Sequence, residues 1–378
     1  MKIVYCIAGT FNAGGMERVL ANKANYLASA GHEVFIVTTD QNGREPYFPL
    51  NPSIVQQDLG INYRFSGGLF FKSLYYPFKQ MKHKRRLKKV LALLKPDITV
   101  SMFDHDAAFL HKMKEGGKKV LEVHFSRFKR LQYGRTGLWG AIDRYRSSQD
   151  LFVAAHYHRF VVLTEEDKRY WGTLPNIQVI PNANTFFPEH GAELTNKRVI
   201  AVGRFDGQKA FDELIMAWKL VQEQHPGWSL DIFGEGPLKA ELQALIEQQG
   251  LQKVLHLHAP VQDIEAEYLK RSMLVMTSKY EGFPMALLEA QACGLPLLAY
   301  ACKCGPADII QDGKNGYLLA EGDRTNLARK INFLIEHSLS RKQMGINART
   351  CAAKYSEAAI MQQWLELFEQ LTWQGRRS

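Results

Sequence analysis

The chain is poor in cysteine and has no long apolar run. Only five of its 378 residues are cysteine, an odd number that argues against a disulfide framework and for a reducing compartment. No stretch approaches the 18 consecutive apolar residues of a membrane-spanning helix. The start, MKIVYCIAG, runs directly into a glycine-containing loop, which predicts a first core strand rather than a secretory signal.

Familiar metal and dinucleotide motifs are also missing. Cys302 and Cys304 form an isolated Cys-x-Cys with no second pair or His cluster nearby, so buried or loop cysteines are favoured over a metal site. The loop after the first strand is neither Gly-x-Gly-x-x-Gly nor a P-loop. We expect no metal and no resident cofactor.

Length and composition are those of a two-domain globular protein, with 46% hydrophobic and 23% charged residues. The net charge of +10 is uneven, because residues 1–185 carry 27 Lys and Arg against 15 Asp and Glu. A basic first half beside a near-neutral second half suggests a polyanionic partner for the first half.

Short apolar runs alternate with stretches of helical period. The clearest runs are 2–8, 33–38, 98–102, 119–123 and 160–163, then 198–202, 230–233, 274–277 and 296–299, with helical period at 17–29, 211–223 and 238–249. Continuously apolar strands between helices are typical of parallel sheets covered on both faces. The two sets predict two doubly wound α/β domains.

A Pro- and Asn-rich segment, Ile180-Pro-Asn-Ala-Asn184, marks the boundary between them. We therefore predict an N-terminal domain at 1–182 and a C-terminal domain at 183–356. The last helical stretch, about 357–373, is amphipathic and could pack back on the first domain.

Ligands of such folds bind at the carboxyl ends of strands, so the loops there are the places to search. Gly14 and Gly15 open the first helix and could admit an anion, although a tight turn is the favoured interpretation. Gly203 to Lys209 follows a strand and carries two cations, Arg204 and Lys209, which could converge on a diphosphate or simply be solvated.

The sharpest signal is Glu281-Gly-Phe-Pro-Met-Ala-Leu-Leu-Glu289, which follows another strand. Pro284 suits a helix start, and the free amides there could take phosphate. Either glutamate could accept hydrogen bonds from sugar or ribose hydroxyls. The alternative is a helix-end charge and a surface residue, but Glu289 lies in an apolar stretch and needs a partner. His124 ends a strand of the first domain and is as consistent with a structural histidine as with a functional one.

These segments, taken together, resemble the family-4 retaining glycosyltransferases, group 1, whose fold, called GT-B, has two facing Rossmann-like domains with a cleft between them. The matching stretches are GGMERVLANKANYLASAGHEV at 14–34, VIPNAN at 179–184, VGRFDGQKAFDELIMAW at 202–218, IFGEGPLKAEL at 232–242, EGFPMALLEAQACGLPLLAY at 281–300 and CGPADIIQDGKNGYLL at 304–319. Ala210 departs from the family pattern, which often has Gly there, and Asp308 stands where Glu is common.

The resemblance implies roles for particular residues. Arg204 and Lys209 would bind the diphosphate of a nucleotide-sugar, Glu281 the transferred sugar and Glu289 the ribose. His124 would face that sugar from the first domain. The remaining contacts would come from Gly14, Gly15, Gly203, Gly234, Gly282, Phe283, Pro284, Met285, Ala286 and Leu287.

It also implies a reaction: retaining, α-linked transfer of a hexose or N-acetylhexosamine, with a UDP-sugar as the first choice of donor. We expect no Asp-x-Asp motif to supply a Mg²⁺ or Mn²⁺ site, so the cations take the place of a metal. The acceptor would be a glycan or a polyprenyl-diphosphate-linked glycan in bacterial surface polysaccharide synthesis, such as capsule or lipopolysaccharide. A nucleotide-sugar epimerase on the same fold and a non-catalytic binding protein are the alternatives.

A basic cluster in the first half matches none of these segments. It comprises Lys79, Lys82, Lys84, Arg85, Arg86, Lys88 and Lys89, and it follows the apolar residues Leu69, Phe70, Phe71, Leu74, Tyr75, Tyr76 and Phe78. Cations beside aromatic residues suit an anionic membrane surface. We expect a cytoplasmic protein that is peripheral to the membrane; a solvated helix or, less favoured, a nucleic-acid patch are the alternatives.

Overall fold

The computed structural model describes residues 1–63, 69–127 and 136–375. The chain divides into two compact units: Met1–Pro181 together with Ile360–Ser378, and Asn182–Ala359.

The first unit is built on a parallel sheet of seven strands within the described residues. The strands are β1 Lys2–Ile7, β2 Glu33–Thr38, β3 Val55–Asp58, β4 Ile98–Ser101, β5 Lys118–Glu122, β6 Arg159–Val162 and β7 Ile177–Val179. Their order is β3-β2-β1-β4-β5-β6-β7. Strand β1 is buried along almost its whole length, which is why its sequence is continuously apolar rather than alternating.

Helices connect these strands, except that β2 and β3 are joined by residues 39–54, which contain no helix; parallel neighbours need crossovers of such length. The helices are α1 Gly15–Ser29, α2 Leu69–Leu94, α3 Ala107–Leu110, α4 Gly137–Ala155 and α5 Glu165–Trp171. Helix α5 begins at a capped terminus, since the Thr164 hydroxyl accepts a hydrogen bond from the Asp167 amide.

The second unit repeats the plan with six described strands in the order β10-β9-β8-β11-β12-β13. They are β8 Arg198–Val202, β9 Ser229–Phe233, β10 Leu255–His258, β11 Met273–Met276, β12 Leu297–Tyr300 and β13 Gly316–Leu319. The helices are α6 Phe211–Gln224, α7 Lys239–Gln248, α8 Ile264–Leu269, α9 Met285–Ala292, α10 Pro306–Ile309, α11 Arg324–Glu336 and α12 Ser338–Ala352.

Helix α13, Glu357–Gly375, takes the chain back into the first unit. Its apolar stripe is buried there: Ile360, Met361, Trp364, Leu367, Phe368 and Leu371. The predicted architecture of two doubly wound parallel-sheet domains is confirmed. The sequence analysis singled out neither the edge strands β3, β7, β10 and β13 nor the long helices α2 and α4.

Candidate active site

The second sheet has a topological switch point between β8 and β11. From β8 the chain continues to β9 and β10 on one side, whereas β11, β12 and β13 lie on the other. Loops that leave adjacent strands in opposite directions open a crevice at the carboxyl ends, and such crevices bind ligands in open α/β sheets. The two loops here are 203–210 and 277–284, which carry the Arg–Lys segment and Glu281.

Lys209 and Glu281 meet at this switch point. The Lys209 Nζ atom lies 2.6 Å from Glu281 Oε1, and the two side chains are 16% and 8% exposed. The sequence analysis predicted a function for each residue but not this contact, because 72 positions separate them. A cation and a carboxylate are thus held side by side in a largely desolvated position, where charge interactions are stronger than in water.

Arg204 is held more loosely than Lys209. Its side chain is 71% exposed, and Nη2 lies 2.9 Å from an oxygen of Asp206. The same nitrogen donates to Gln208 Oε1 at 3.2 Å. An exposed guanidinium with flexible partners can turn toward an incoming anion, since surface ion pairs contribute little to stability.

Hydrogen bonds tie the two loops together. Gln208 Nε2 donates to the Tyr280 carbonyl at 2.9 Å, and the Lys279 amide donates to the Gln208 carbonyl at 2.9 Å. The Thr277 hydroxyl lies 3.0 Å from the carbonyls of both Lys209 and Ala210. These bonds fix the Lys209 backbone against the loop that carries Glu281.

Glycine is required where the loops after β8 and β9 approach each other. A Cβ on Gly234 would lie 1.8 Å from the Gly203 carbonyl oxygen, and one on Gly203 would lie 3.0 Å from the Lys209 side chain. Both predicted contact glycines therefore have a packing role. Ala210 has a left-handed backbone with φ of 47°, the region that favours glycine, so the departure from the family pattern costs some strain.

Helix α9 begins immediately after this crevice. Pro284 is its N-cap, one position before the first helical residue, Met285. The first amides of a helix have no carbonyl partner inside it, so those of Met285 and Ala286 are available to an anion. The Leu287 amide donates to the Pro284 carbonyl at 3.0 Å, so Met285 and Ala286 offer the freer amides; the contact expected of Leu287 stays a prediction. Gly282 is partly exposed at the crevice, whereas Phe283 is buried.

Glu289 is buried rather than on the surface. Its Oε1 accepts a hydrogen bond from the Thr185 hydroxyl at 3.1 Å, and its Oε2 accepts one from Tyr268 Oη at 3.1 Å. The partner that the sequence analysis required therefore exists within the protein. A carboxylate has about four lone-pair sites, so it can also accept from a ribose hydroxyl.

In the first unit, a glutamate lies against the predicted anion site. A Cβ on Gly14 would lie 2.1 Å from a Glu17 carboxylate oxygen, whereas Gly15 has open space around it. Asn12 Nδ2 donates to Glu17 Oε1 at 3.0 Å. The sequence analysis missed Glu17, whose carboxylate lies by the N-terminus of α1 that a phosphate would use.

His124 follows β5, with its Nε2 3.0 Å from Glu122 Oε1 and a side chain that is 8% exposed. Asp104-His105-Asp106 follows β4, next to β1 at the first sheet's switch point; the expectation that the chain has no Asp-x-Asp motif is therefore wrong. Burial raises the pKa of Asp106 to about 7. The position of these aspartates directly after a predicted strand was the signal by which the sequence could have revealed them.

Some predicted site residues thus lie in different units. Arg204, Lys209, Glu281 and Glu289 belong to the second unit, and Gly14, Gly15 and His124 belong to the first. Across the described ranges, no group of three His, Cys, Asp or Glu side chains is placed to hold a metal. Cys302 and Cys304 are both buried.

The basic cluster lies on α2, and part of it is bound to the protein. Lys79, Lys82 and Arg86 donate to backbone carbonyls within residues 59–62, and Lys88 pairs with Glu115 at 3.3 Å. Lys84, Arg85 and Lys89 are exposed. The side chains of residues 69–74 lie outside the description, but Tyr75, Phe78, Met81 and Leu93 are exposed on the same helix. No helix in the described part of the chain is apolar and long enough to cross a membrane.

Comparison with known families accounts for most of the chain. Residues 13–183 match the family described as Glycosyltransferase Family 4, and residues 182–350 match Glycosyl transferases group 1. The amylovoran biosynthesis glycosyltransferase AmsD of Erwinia amylovora is 28% identical, with 97% of this chain and 99% of that protein covered.

Two further proteins illustrate the range of relatives. A Campylobacter jejuni protein named GalNAc-alpha-(1->4)-GalNAc-alpha-(1->3)-diNAcBac-PP-undecaprenol alpha-1,4-N-acetyl-D-galactosaminyltransferase is 26% identical over 98% of this chain and 99% of its own length. The crystal structure of the pneumococcal O-GlcNAc transferase GtfA with UDP and GlcNAc superposes with a TM-score of 0.76. It is 16% identical and covers 98% of this chain and 99% of that chain.

Proposed function

The chain is a group 1 glycosyltransferase of the GT-B fold, and we propose that it transfers a hexose or N-acetylhexosamine from a UDP-sugar to a glycan or lipid-linked glycan acceptor. The observation that carries the proposal is the Lys209–Glu281 pair at the switch point, with Arg204 exposed beside it and helix amides adjacent. This arrangement offers cations to a diphosphate and a carboxylate to a sugar in one crevice.

The charges set the mechanism. When the bond between the sugar C1 and the phosphate oxygen breaks, the sugar becomes oxocarbenium-like and negative charge grows on the leaving nucleoside diphosphate. Arg204, Lys209 and the first amides of α9 stabilise that charge as it develops. Glu281 holds sugar hydroxyls, Glu289 holds the ribose, and His124 faces the sugar from the first unit.

We propose that the anomeric configuration is retained and that no metal takes part. The acceptor hydroxyl attacks C1 from the same face of the sugar from which the leaving group departs. The proton of that hydroxyl passes to the leaving phosphate oxygen. The product is an α-linked glycoside and a nucleoside diphosphate. Trapping of a covalent glycosyl-enzyme would contradict this step.

The names of relatives support the choice of substrates. The Campylobacter relative is named for an undecaprenol-linked acceptor and an α-linked N-acetylhexosamine. The pneumococcal structure contains UDP. Guanosine is the next choice of base, and bacterial surface polysaccharide is the proposed product.

Helix α2 gives the proposed enzyme an affinity for an anionic membrane. Phe78, Arg85 and Lys89 follow one another at helical spacing, and with exposed Met81 and Leu93 they form a face of apolar and cationic side chains. Such a face suits the interface of an anionic bilayer. It would place the enzyme on the cytoplasmic side, where a lipid-linked acceptor is available.

Thermal unfolding with a panel of nucleoside diphosphates and nucleotide-sugars tests the proposal. A ligand at 100 times its dissociation constant stabilises a protein by about 2.7 kcal/mol, so we expect UDP or a UDP-sugar to raise the Tm of the wild type. Arg204→Ala should remove most of that shift. If no nucleotide at millimolar concentration changes the Tm, the donor site is wrongly assigned. Turnover of the nucleotide-sugar without any acceptor would favour the epimerase alternative.

A further inference from the structure

A buried charge network lies beneath His124 in the first unit. Lys23 of α1 donates a hydrogen bond to Oε1 of Glu122, the last residue of β5, and the same oxygen lies 3.0 Å from His124 Nε2. Lys23 and Glu122 are almost completely buried. Lys23 and His124 therefore both approach the same oxygen of Glu122, and His124 is the most exposed of the three side chains.

The charge state of this network is well defined. Burial opposes ionisation of Glu122, but interactions led by the charge of Lys23 outweigh it and lower the pKa of the carboxyl to about 2. Trp364 of α13 closes the far side, with its ring centroid 3.7 Å from Lys23 Nζ, a distance that allows a cation–π interaction. Glu122 is thus a fixed anion throughout the neutral pH range.

A buried ion pair is weak evidence of stabilisation, because an apolar pair of similar volume often does as well. The geometry provides another role. Lys23 holds Oε1 in place. Within the described residues His124 Nε2 has no hydrogen-bond partner, but a fixed anionic oxygen 3.0 Å away favours the tautomer that carries its proton on that nitrogen, because a lone pair there would face the negative charge. In a neutral imidazole the other nitrogen is then a hydrogen-bond acceptor.

We propose that Glu122 is a positioning residue that keeps the His124 proton on Nε2, so that Nδ1 offers a lone pair to a hydroxyl of the transferred sugar. Lys23 in turn fixes the carboxylate. The role of His124 toward the sugar rests on the proposed function, whereas the control of its tautomer rests on the network alone. The signal in the sequence was weak, since Lys23 and Glu122 are 99 positions apart.

Nitrogen NMR of the protein labelled with ¹⁵N-histidine tests the tautomer directly, without donor or acceptor. We expect the wild type to show His124 protonated at Nε2. In Glu122→Gln the amide can donate to Nε2, so the proton should move to Nδ1. If the His124 tautomer is the same in both proteins, the proposal is wrong.

Turnover supplies the second readout. Loss of a carboxylate that orients a functional histidine lowers activity by about 10–100-fold at metal-binding histidines, so we expect kcat of Glu122→Gln to fall by about that factor while KM for the donor changes less than about threefold. Glu122→Asp should recover part of kcat. An unchanged kcat, with transfer otherwise detectable, would also overturn the proposal.

Two controls separate the tautomer from general damage. Glu122→Gln alone leaves Lys23 unpaired in the core, which can unfold the protein, so Lys23→Met/Glu122→Gln removes both charges and carries the same expectation for His124. Glu33→Gln disrupts the exposed Lys2–Glu33 pair and should leave the tautomer unchanged. If no glycosyl transfer is found for the wild type, the proposed function fails, but the NMR comparison still decides the role of Glu122.

Discussion

Lys209 Nζ lies 2.6 Å from Glu281 Oε1, so each neutralises the other in the unliganded protein. When a nucleotide-sugar donor binds, this ion pair must separate. The Lys209 ammonium then contacts the diphosphate, and the Glu281 carboxylate accepts hydrogen bonds from sugar hydroxyls. The two residues therefore make opposite contributions to the binding of a nucleoside diphosphate that carries no sugar.

The first prediction separates these contributions. Lys209→Met should weaken UDP binding by about 10–100-fold, because a hydrogen bond to a charged group contributes about 1.5–3 kcal/mol. Glu281→Ala should leave UDP affinity equal or higher, since it releases Lys209, yet turnover of the nucleotide-sugar should fall at least about 100-fold. Isothermal titration with UDP and a transfer assay measure both. Lys219→Met, on the exposed part of α6, is the matched control; equal loss of UDP binding in the Lys209 and Glu281 variants would contradict the assignment.

The second prediction concerns the ribose. If Glu289 accepts a ribose hydroxyl, the wild type should bind UDP more tightly than its 2′-deoxy analogue by about 1 kcal/mol, or about fivefold. Glu289→Gln should lose most of this discrimination, whereas Tyr268→Phe should lose stability and keep the preference. Titration of both nucleotides into the three proteins gives the answer. A preference that survives in Glu289→Gln places the ribose elsewhere.

A third prediction tests the close approach of the two loops. Gly234→Ala must displace the Gly203 backbone, because its Cβ would lie 1.8 Å from that carbonyl oxygen. We expect it to cost more than about 2 kcal/mol of stability and to weaken UDP binding as well. Gly207→Ala, in the loop that contains Gly203 but with open space around it, should change either quantity little. Denaturant unfolding measures the free energy of unfolding of both variants. Similar values would contradict the prediction, because they would mean that the Gly203 backbone can move at little cost.

The fourth prediction is for membrane binding. Lys84→Gln/Arg85→Gln/Lys89→Gln removes three exposed charges from α2, each contributing about 1 kcal/mol at an anionic surface. Binding to vesicles that contain anionic lipid should fall by about 100-fold in flotation, and 0.5 M salt should weaken the wild type in the same way. Lys239→Gln/Lys253→Gln/Lys342→Gln, with the same change of charge, should bind like the wild type. If vesicle binding changes neither with salt nor with the α2 substitutions, α2 is a solvated helix and not a membrane-binding one.

The fifth prediction follows from Asp106. Burial raises its pKa from 3.8 to about 7, so the folded state favours the protonated carboxyl. The stabilisation is complete below about pH 4 and is lost as the pH rises through 7. Asp106→Asn keeps a neutral group, so its advantage over the wild type should grow between pH 5 and 8. Urea unfolding across that range measures it, and a constant difference between the two proteins would rule out titration of Asp106.

What could be predicted from the sequence depends on how far apart in the chain the interacting residues are. The strands, the helix start near Pro284 and the loops with Arg204 and Glu281 depend on neighbouring residues, whose periodicity and punctuation are visible in the sequence. The fold class followed from the same alternation.

Contacts set by topology were not visible. The Lys209–Glu281 and Lys23–Glu122 pairs depend on which strands are adjacent in each sheet, and spacing alone does not determine that order. The left-handed backbone of Ala210 was hidden for another reason, since alanine carries no signal for positive φ. The individual roles assigned to the site residues stay predictions.

The return of the chain at Ile360 makes the second unit an insertion within the first. On the ribosome, Asn182–Ala359 is therefore complete while the first unit still lacks its last helix. Until residue 364 has emerged from the exit tunnel, Lys23 and Glu122 have no Trp364 to cover them. The first unit, although its translation begins first, can be completed only after the second has been translated, and a premature stop near residue 360 would remove a helix from the half of the protein farthest from it in sequence.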